Sequence, residues 1–127
     1  MALIDHNMMD PYQACDFGAD IGSKVTRIID HHFDNEFYPK EQLKQNIVKF
    51  IGSACSIAAQ LFKENEHIFP QEDFAAGRNF AYLFAAAIVL DTYNFKPELM
   101  GSKWQEEDLE AMNWLRTKTD QIGSNYF

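Results

Sequence analysis

Acidic and imidazole side chains stand directly after short apolar segments of this sequence. They are Asp5 and His6, then Asp30, His31 and His32, and finally Asp91. A set of carboxylate oxygens and imidazole nitrogens, without thiolates, suits Mn²⁺, Mg²⁺ or Zn²⁺. Ligands of open α/β sheets bind at the carboxyl ends of the strands, where such side chains would meet. The pattern therefore predicts a divalent-cation site.

The segment VTRIIDHH, residues 25–32, is the centre of this pattern. Its β-branched residues predict a buried strand that ends in polar groups. Adjacent strand residues face opposite ways, so His31 and His32 are expected to separate, one binding the cation and the other facing substrate, unless the strand ends between them. The alternative is a strand followed by a polar turn, in which Asp30 caps the turn and both histidines are solvated.

Composition bounds the possible functions. The chain has 127 residues, of which 46% are hydrophobic, and this is enough for one globular domain with a core. A formal net charge of −8 argues against nucleic-acid binding, because that needs basic patches to neutralise phosphates. A phosphate-bearing substrate stays compatible with this charge, since bound divalent cations invert the local field.

Cysteine usage and hydropathy indicate the compartment. Cys15 and Cys55 have no metal-like or redox-like spacing and are expected to be buried or half-buried thiols, rather than a disulfide, in a reducing environment. The start MALIDHN has no basic region before a long apolar one, and no segment reaches the about 18 apolar residues of a membrane span. We therefore expect a cytoplasmic location without membrane contact.

The hydrophobic periodicity predicts an α/β fold with a parallel sheet flanked by helices. A strand-like segment covers residues 1–5, and strands are expected at residues 24–29 and 47–51. Residues 8–23 are expected to form a loop with one short irregular element. Helices are expected at residues 53–64, 70–90 and 102–118, with Ser53 and Ser102 as the first residues of two of them and Gly123 as the stop of the last. A strand over residues 88–90 is the alternative to the end of the second helix.

Four motifs in this order, LIDHN, IIDHH, IGSACS and LDTYNF, cover residues 3–95. They resemble the motifs of the DHH phosphoesterase superfamily, within the group of exopolyphosphatases, prune-type proteins and manganese-dependent inorganic pyrophosphatases. The resemblance implies that residues 1–127 are part of the N-terminal α/β domain of such a protein. It also implies a two-metal centre with Mn²⁺ or Mg²⁺, which hydrolyses pyrophosphate or polyphosphate with a metal-activated water.

The same resemblance implies a role for each matching residue. Asp5 resembles the aspartate that bridges both metals. His31 and Asp91 resemble ligands of one metal. His32 resembles the catalytic histidine that faces the scissile phosphate and donates a hydrogen bond or a proton to it.

Supporting roles are implied for residues beside these. Asp30 and His6 are expected to orient the ligands without binding the metal themselves. Gly52 and Ser53 resemble a glycine-serine turn whose exposed N–H groups bind phosphate. The alternative for Gly52 is that it only permits a tight strand-to-helix turn. Asn7, like Asn94, is expected to be a local turn cap.

The sequence departs from the family at both ends. An upstream cluster of metal ligands does not precede Asp5, and the basic second domain of the DHHA2 type does not follow the last helix. We therefore expect a domain truncated at both ends, which is a fragment, a truncated gene model or a degenerate copy. Because the first strands of the sheet would then be missing, we expect low stability or self-association through an exposed sheet edge.

Three functions are compatible with these observations. The first is a metal-dependent phosphoanhydride hydrolase, of which this chain is an active or an inactive part. The second is a prune-like protein that binds a cation and acts through partners without catalysis. The third is a DHH-type phosphodiesterase acting on oligonucleotides or cyclic dinucleotides, against which the LDTYNF segment and the acidic charge both count.

Overall fold

The computed structural model describes residues 1–18, 20–68 and 74–119, which form two compact units. The first unit is Met1–Phe50 and the second is Ile51–Phe127. The first holds a three-stranded parallel sheet and one α-helix, and the second holds three α-helices among the described residues. The α/β class and the parallel sheet are therefore as predicted.

The sheet of the first unit consists of β1 (Ala2–Ile4), β2 (Arg27–Asp30) and β3 (Gln45–Val48). All three strands are parallel and β2 lies in the middle. Ile4 is paired with Ile29, so β1 and β2 end side by side. The residues that follow these two strands therefore share one edge of the sheet.

The predicted boundaries of the second and third strands are wrong by several residues. The central strand begins at Arg27 because Ile21–Lys24 forms a 3-10 turn instead. The third strand covers Gln45–Val48 rather than residues 47–51. Pairing with β2 sets these limits, since Arg27 is opposite Gln45 and Asp30 is opposite Val48.

The segment predicted as a loop at residues 8–23 contains the helix α1 (Pro11–Phe17). The Asp10 carboxylate accepts hydrogen bonds from the backbone N–H groups of Tyr12 and Gln13, at 2.8 and 2.9 Å. The Gln13 side chain accepts one in return from the N–H of Asp10 at 3.1 Å. This capping box stabilises the first turn, and its sequence signal, an acid followed three residues later by Gln, was overlooked.

The second unit contains α2 (Ala54–Glu64), α3 (Phe74–Asp91) and α4 (Glu106–Thr117). Ser53 is the N-cap of α2, as predicted, and its hydroxyl accepts a hydrogen bond from the N–H of Cys55. Residues 88–90 belong to α3, so the strand alternative there is wrong. The predicted start of α3 at residue 70 lies outside the described residues.

The predicted start of α4 is wrong, because its N-cap is Gln105 rather than Ser102. The Ser102 hydroxyl instead donates to the carbonyl oxygen of Leu99 in the preceding turn. The helix ends at Thr117, close to the predicted residue 118. Gly123, predicted as its stop, lies outside the described residues.

Each unit has its own hydrophobic core. In the first, side chains of the sheet pack with those of nearby loops: Leu3, Val25, Ile28 and Tyr38. In the second, the three helices supply the core: Ala59, Ala81, Ala85, Ile88, Ala111, Met112, Trp114 and Leu115. None of the helices in the described part of the chain has the length and apolarity that a membrane span requires.

Candidate metal centre

Three side chains that can bind a metal converge after β1 and β2. Asp5, His31 and His32 each offer one ligand atom, and these atoms all lie within 4.8 Å of one another. His31 Nε2 lies 3.1 Å from Asp5 Oδ1. One carboxylate oxygen and two imidazole nitrogens are thus brought together at the edge that the sequence predicted.

Asp5 directs its carboxylate through an unusual backbone conformation. Its N–H donates to the carbonyl oxygen of Ile29 at 2.9 Å, which continues the pairing of β1 with β2. Its φ angle is +65°, in the left-handed region that few residues other than glycine adopt. Aspartate and asparagine tolerate this region best among the other residues, because their short polar side chains can form local hydrogen bonds. The chain therefore turns at Asp5, and the side chain stays 64% exposed.

Because β2 ends at Asp30, both histidines lie beyond the strand. The alternation that was expected to separate His31 from His32 does not apply there. Their ring centroids are 4.3 Å apart, and both rings face the same cluster with Asp5. His31 is the less exposed of the two, with 18% of its side chain in solvent against 58% for His32.

Asp30 is fully buried and accepts hydrogen bonds from both histidines. Its Oδ1 accepts from the N–H of His31 at 2.8 Å and the N–H of His32 at 3.3 Å. The same oxygen lies 2.8 Å from Nδ1 of the His32 ring. Burial by itself raises the pKa of Asp30, but the hydrogen bonds from His32, Asn7 and His31 outweigh it and hold the pKa below its ordinary value.

Asn7 is not a local turn cap as predicted but a buried link between distant segments. Its Nδ2 donates to Asp30 Oδ2 at 2.5 Å and to the carbonyl oxygen of Phe33 at 2.8 Å. Its Oδ1 accepts from the backbone N–H and the side-chain Nδ2 of Asn35, at 3.1 and 2.9 Å. A local sequence pattern does not reveal these partners, because they are 23 to 28 residues away.

His6 contacts the last residue of β1. Its Nδ1 lies 2.9 Å from the carbonyl oxygen of Ile4, and the residue is partly buried. The role of His6 in orienting metal ligands stays a prediction.

Asp91 is the last residue of α3, in the second unit. Its Oδ2 accepts a hydrogen bond of 2.6 Å from the hydroxyl of Ser53, which is itself fully buried. The Ser53 hydroxyl therefore links the first turn of α2 to the last turn of α3. The role of Asp91 as a metal ligand stays a prediction.

Gly52 and Ser53 do not present exposed N–H groups, contrary to expectation. Both residues are buried, and their N–H groups donate to the carboxylate of Asp108 at 2.7 and 3.2 Å. A Cβ atom on Gly52 would lie only 2.6 Å from the carbonyl oxygen of Lys103 and 2.8 Å from Thr92 Cγ2. Close packing against Lys103 and Thr92 thus accounts for the glycine, and the backbone freedom of the tight-turn alternative does not, since the φ angle of Gly52 is not in the left-handed region. Two partners of Asp108 lie more than 50 residues away, but the third, the N–H of Gln105, lies three residues before it, so this local capping box was the signal that was missed.

Comparison with known proteins gives no family assignment. No protein-family model matches this sequence, and no curated protein gives a significant match. The relationship to the DHH phosphoesterases therefore rests on the four sequence motifs alone and stays a prediction.

Proposed function

We propose that Asp5, His31 and His32 bind a divalent cation, and that this site belongs to a metal-dependent phosphoanhydride hydrolase of the DHH phosphoesterase type. The main support is the approach of one carboxylate and two imidazoles to within 4.8 Å after two adjacent parallel strands. This donor set fits the expected metal. Mixed oxygen and nitrogen donors suit Mn²⁺, whereas Mg²⁺ prefers oxygen donors alone.

A divalent cation held there would lower the pKa of a water molecule and stabilise charge on the phosphate oxygens during hydrolysis. The residues of the chain prepare the site for it. Asp5 supplies negative charge at a position that is open to solvent. The Asp30 carboxylate accepts a hydrogen bond from Nδ1–H of His32, so that Nε2 keeps its lone pair for a ligand or for a proton. The family resemblance also implies a ligand role for Asp91, and that role stays a prediction.

Pyrophosphate or inorganic polyphosphate is the proposed substrate. The net charge of −8 would repel such polyanions, so binding would depend on the cation. We place the protein in the cytoplasm because Cys15 and Cys55 have no redox-like spacing, which is typical of thiols in a reducing environment. Cys55 is partly buried, as expected, whereas Cys15 is exposed. Self-association through the edge of β1, where Ile4 is exposed, stays a further prediction.

The cation site is tested first by Mn²⁺ titration calorimetry on the 127-residue chain. Asp5→Asn removes the charge and keeps a residue that tolerates the left-handed backbone, so the fold should persist. We expect Mn²⁺ binding by the wild type and at least about tenfold weaker binding by this variant. Asp20→Asn removes an exposed aspartate outside the cluster and should bind as the wild type does. Equal binding by all three proteins would refute the site.

Catalysis is tested by phosphate release from pyrophosphate and tripolyphosphate, with Mn²⁺ and with Mg²⁺. We expect release by the wild type and only the uncatalysed background with Asp5→Asn or Asp91→Asn. A short oligonucleotide serves as a competing substrate, and its preferential hydrolysis would favour a phosphodiesterase instead. Activity that persists in both variants would refute the assigned ligands.

A prune-like cation-binding protein without catalysis is the second candidate function. It is favoured by one observation, the occupation of the Gly52 and Ser53 N–H groups by Asp108. Those groups were the phosphate contacts that the resemblance implied, and a buried carboxylate takes that place. Mn²⁺ binding that depends on Asp5, combined with no release of phosphate from either substrate, would decide for this candidate.

A further inference from the structure

We propose that Asn7 is a positioning residue of this site, which acts through Asp30 to fix the orientation and the tautomer of His32. The inference deepens the proposed function, because it matters for catalysis only if the His32 cluster binds a cation. The tautomer itself can be measured without any metal. The sequence motifs predicted a local turn cap at Asn7 and no role in the site.

The amide of Asn7 is fully engaged. Its two N–H protons go to Asp30 Oδ2 and to the carbonyl oxygen of Phe33, while its oxygen accepts two hydrogen bonds from Asn35. A reversed amide would point NH₂ at the Asn35 donors and an oxygen at the Asp30 carboxylate. The four partners therefore define which end of the amide faces Asp30.

Asn7 holds the oxygen of Asp30 that the histidines leave free. The other oxygen, Oδ1, already accepts from two backbone N–H groups and lies against Nδ1 of His32. Asp30 is fully buried and Asn7 is 3% exposed, so water has little access to replace the amide. Removing the amide would leave Oδ2 without this donor and would let the carboxylate rotate away from His32.

The consequence for His32 follows from the chemistry of its ring. An ionised carboxylate only accepts hydrogen bonds, so Nδ1 must carry the proton that lies against Asp30. In the neutral ring, Nε2 is then the nitrogen with a free lone pair. Carboxylate partners of this kind commonly orient metal-binding histidines. Asn7 thus extends the chain of positioning contacts by one step, to the loop at Phe33 and Asn35.

The decisive measurement is the tautomer of the neutral His32 ring in the metal-free full chain, read from long-range ¹H–¹⁵N spectra of the imidazole rings at alkaline pH. We expect the Nδ1–H form for His32 in the wild type. His67, which is exposed in the second unit, serves as an internal reference ring. An Nε2–H form of His32 in the wild type would overturn the proposal.

The variant Asn7→Leu removes the amide at similar volume. We expect it to shift His32 toward a mixture of tautomers and to weaken Mn²⁺ binding by about tenfold. Asn65→Leu removes an asparagine side-chain bond at the end of α2 and should change neither quantity. A folded Asn7→Leu protein with an unchanged tautomer would show that Asn7 only holds the loop.

A milder variant covers the case in which Asn7→Leu does not fold. Asn35→Ala removes one of the two donors to Asn7 Oδ1 and leaves the backbone donor in place. We expect a smaller shift of the same kind, and an unchanged His32 spectrum would count against the proposal. If the tautomer responds but the wild type binds no Mn²⁺, the proposed function fails while the positioning role of Asn7 stands.

Discussion

Asp30 combines full burial with a lowered pKa, and this couples the stability of the first unit to pH. Its folded-state pKa lies below the ordinary 3.8, since hydrogen bonds from His32, Asn7 and His31 overcome the effect of burial. The stability contributed by the charged form is therefore fully present above pH 3.8 and is lost as pH falls through the folded-state pKa. In the metal-free protein, we expect Asp30→Asn to lower the unfolding free energy of the first unit by about 2 kcal/mol at neutral pH and by clearly less near pH 3. Urea unfolding, monitored by hydrogen exchange, measures this difference.

Asp20 provides the control for this prediction at an exposed site. Its pKa is also lowered, first by a hydrogen bond from Lys24 and then by the charge of that lysine. Because this pair is in solvent, added salt should screen its electrostatic part, while the buried bonds of Asp30 should persist. The assignment would be contradicted if the difference in unfolding free energy between the wild type and Asp30→Asn did not change with pH, or if that difference disappeared in salt.

The sequence was informative for single residues wherever a strand ends in a functional group. Asp5, Asp30 and His31 follow apolar segments, and parallel pairing brings the ends of β1 and β2 together. Asn7 could not be recognised in this way, because its role depends on tertiary contacts with Asp30 and with a loop beyond it. Spacing along the chain predicts which side chains reach an edge, but it does not predict which buried groups hold them there.

At the scale of the helices, Asp108 joins the first turns of α2 and α4. Its buried carboxylate accepts N–H groups from Gly52 and Ser53 before α2 and from Gln105 before α4. A negative charge at two helix N-termini is also favoured by both helix dipoles. Because this one group satisfies three backbone donors, it determines how the two helices meet.

We expect Asp108→Asn to destabilise the second unit by about 3 kcal/mol, because an amide nitrogen would face backbone donors that the carboxylate now satisfies. Glu110→Gln, on the exposed side of the same helix, should stay within about 0.5 kcal/mol of the wild type. Urea unfolding followed by tryptophan fluorescence measures this, since Trp104 and Trp114 both lie in the second unit. Equal midpoints for the two variants would mean that the bonds to Asp108 contribute little.

The helices also show where element prediction from sequence succeeds and where it fails. The apolar periodicity located α2 and the end of α3 because long helices bury a regular stripe of side chains. The start of α4 was placed at Ser102 on one local capping pattern, whereas a second local capping box, between Gln105 and Asp108, places it after Gln105. Strand limits were shifted for a different reason, since pairing with β2 decides where β3 begins and ends.

At the scale of the whole molecule, the two units differ in the size of their cores. Among the residues that the structure describes, the core cluster of the sheet unit has four buried hydrophobic side chains and that of the helical unit has eight. The strands of the first unit are only three or four residues long. Short strands with a small core open locally at a low free-energy cost, whereas helices that share one core are expected to open together.

We therefore expect the first unit to unfold at a lower urea concentration than the second. Hydrogen exchange followed by mass spectrometry should show backbone exchange at β1 and β2 while α2 and α4 are still protected. Fluorescence should report only the later transition, because the chain has two tryptophans and both lie in the second unit. Mn²⁺ should move the earlier transition upward if Asp5, His31 and His32 bind it, since a ligand stabilises only the unit that holds its site. Coincident transitions that Mn²⁺ shifts together would instead mean that the two units fold as one cooperative structure.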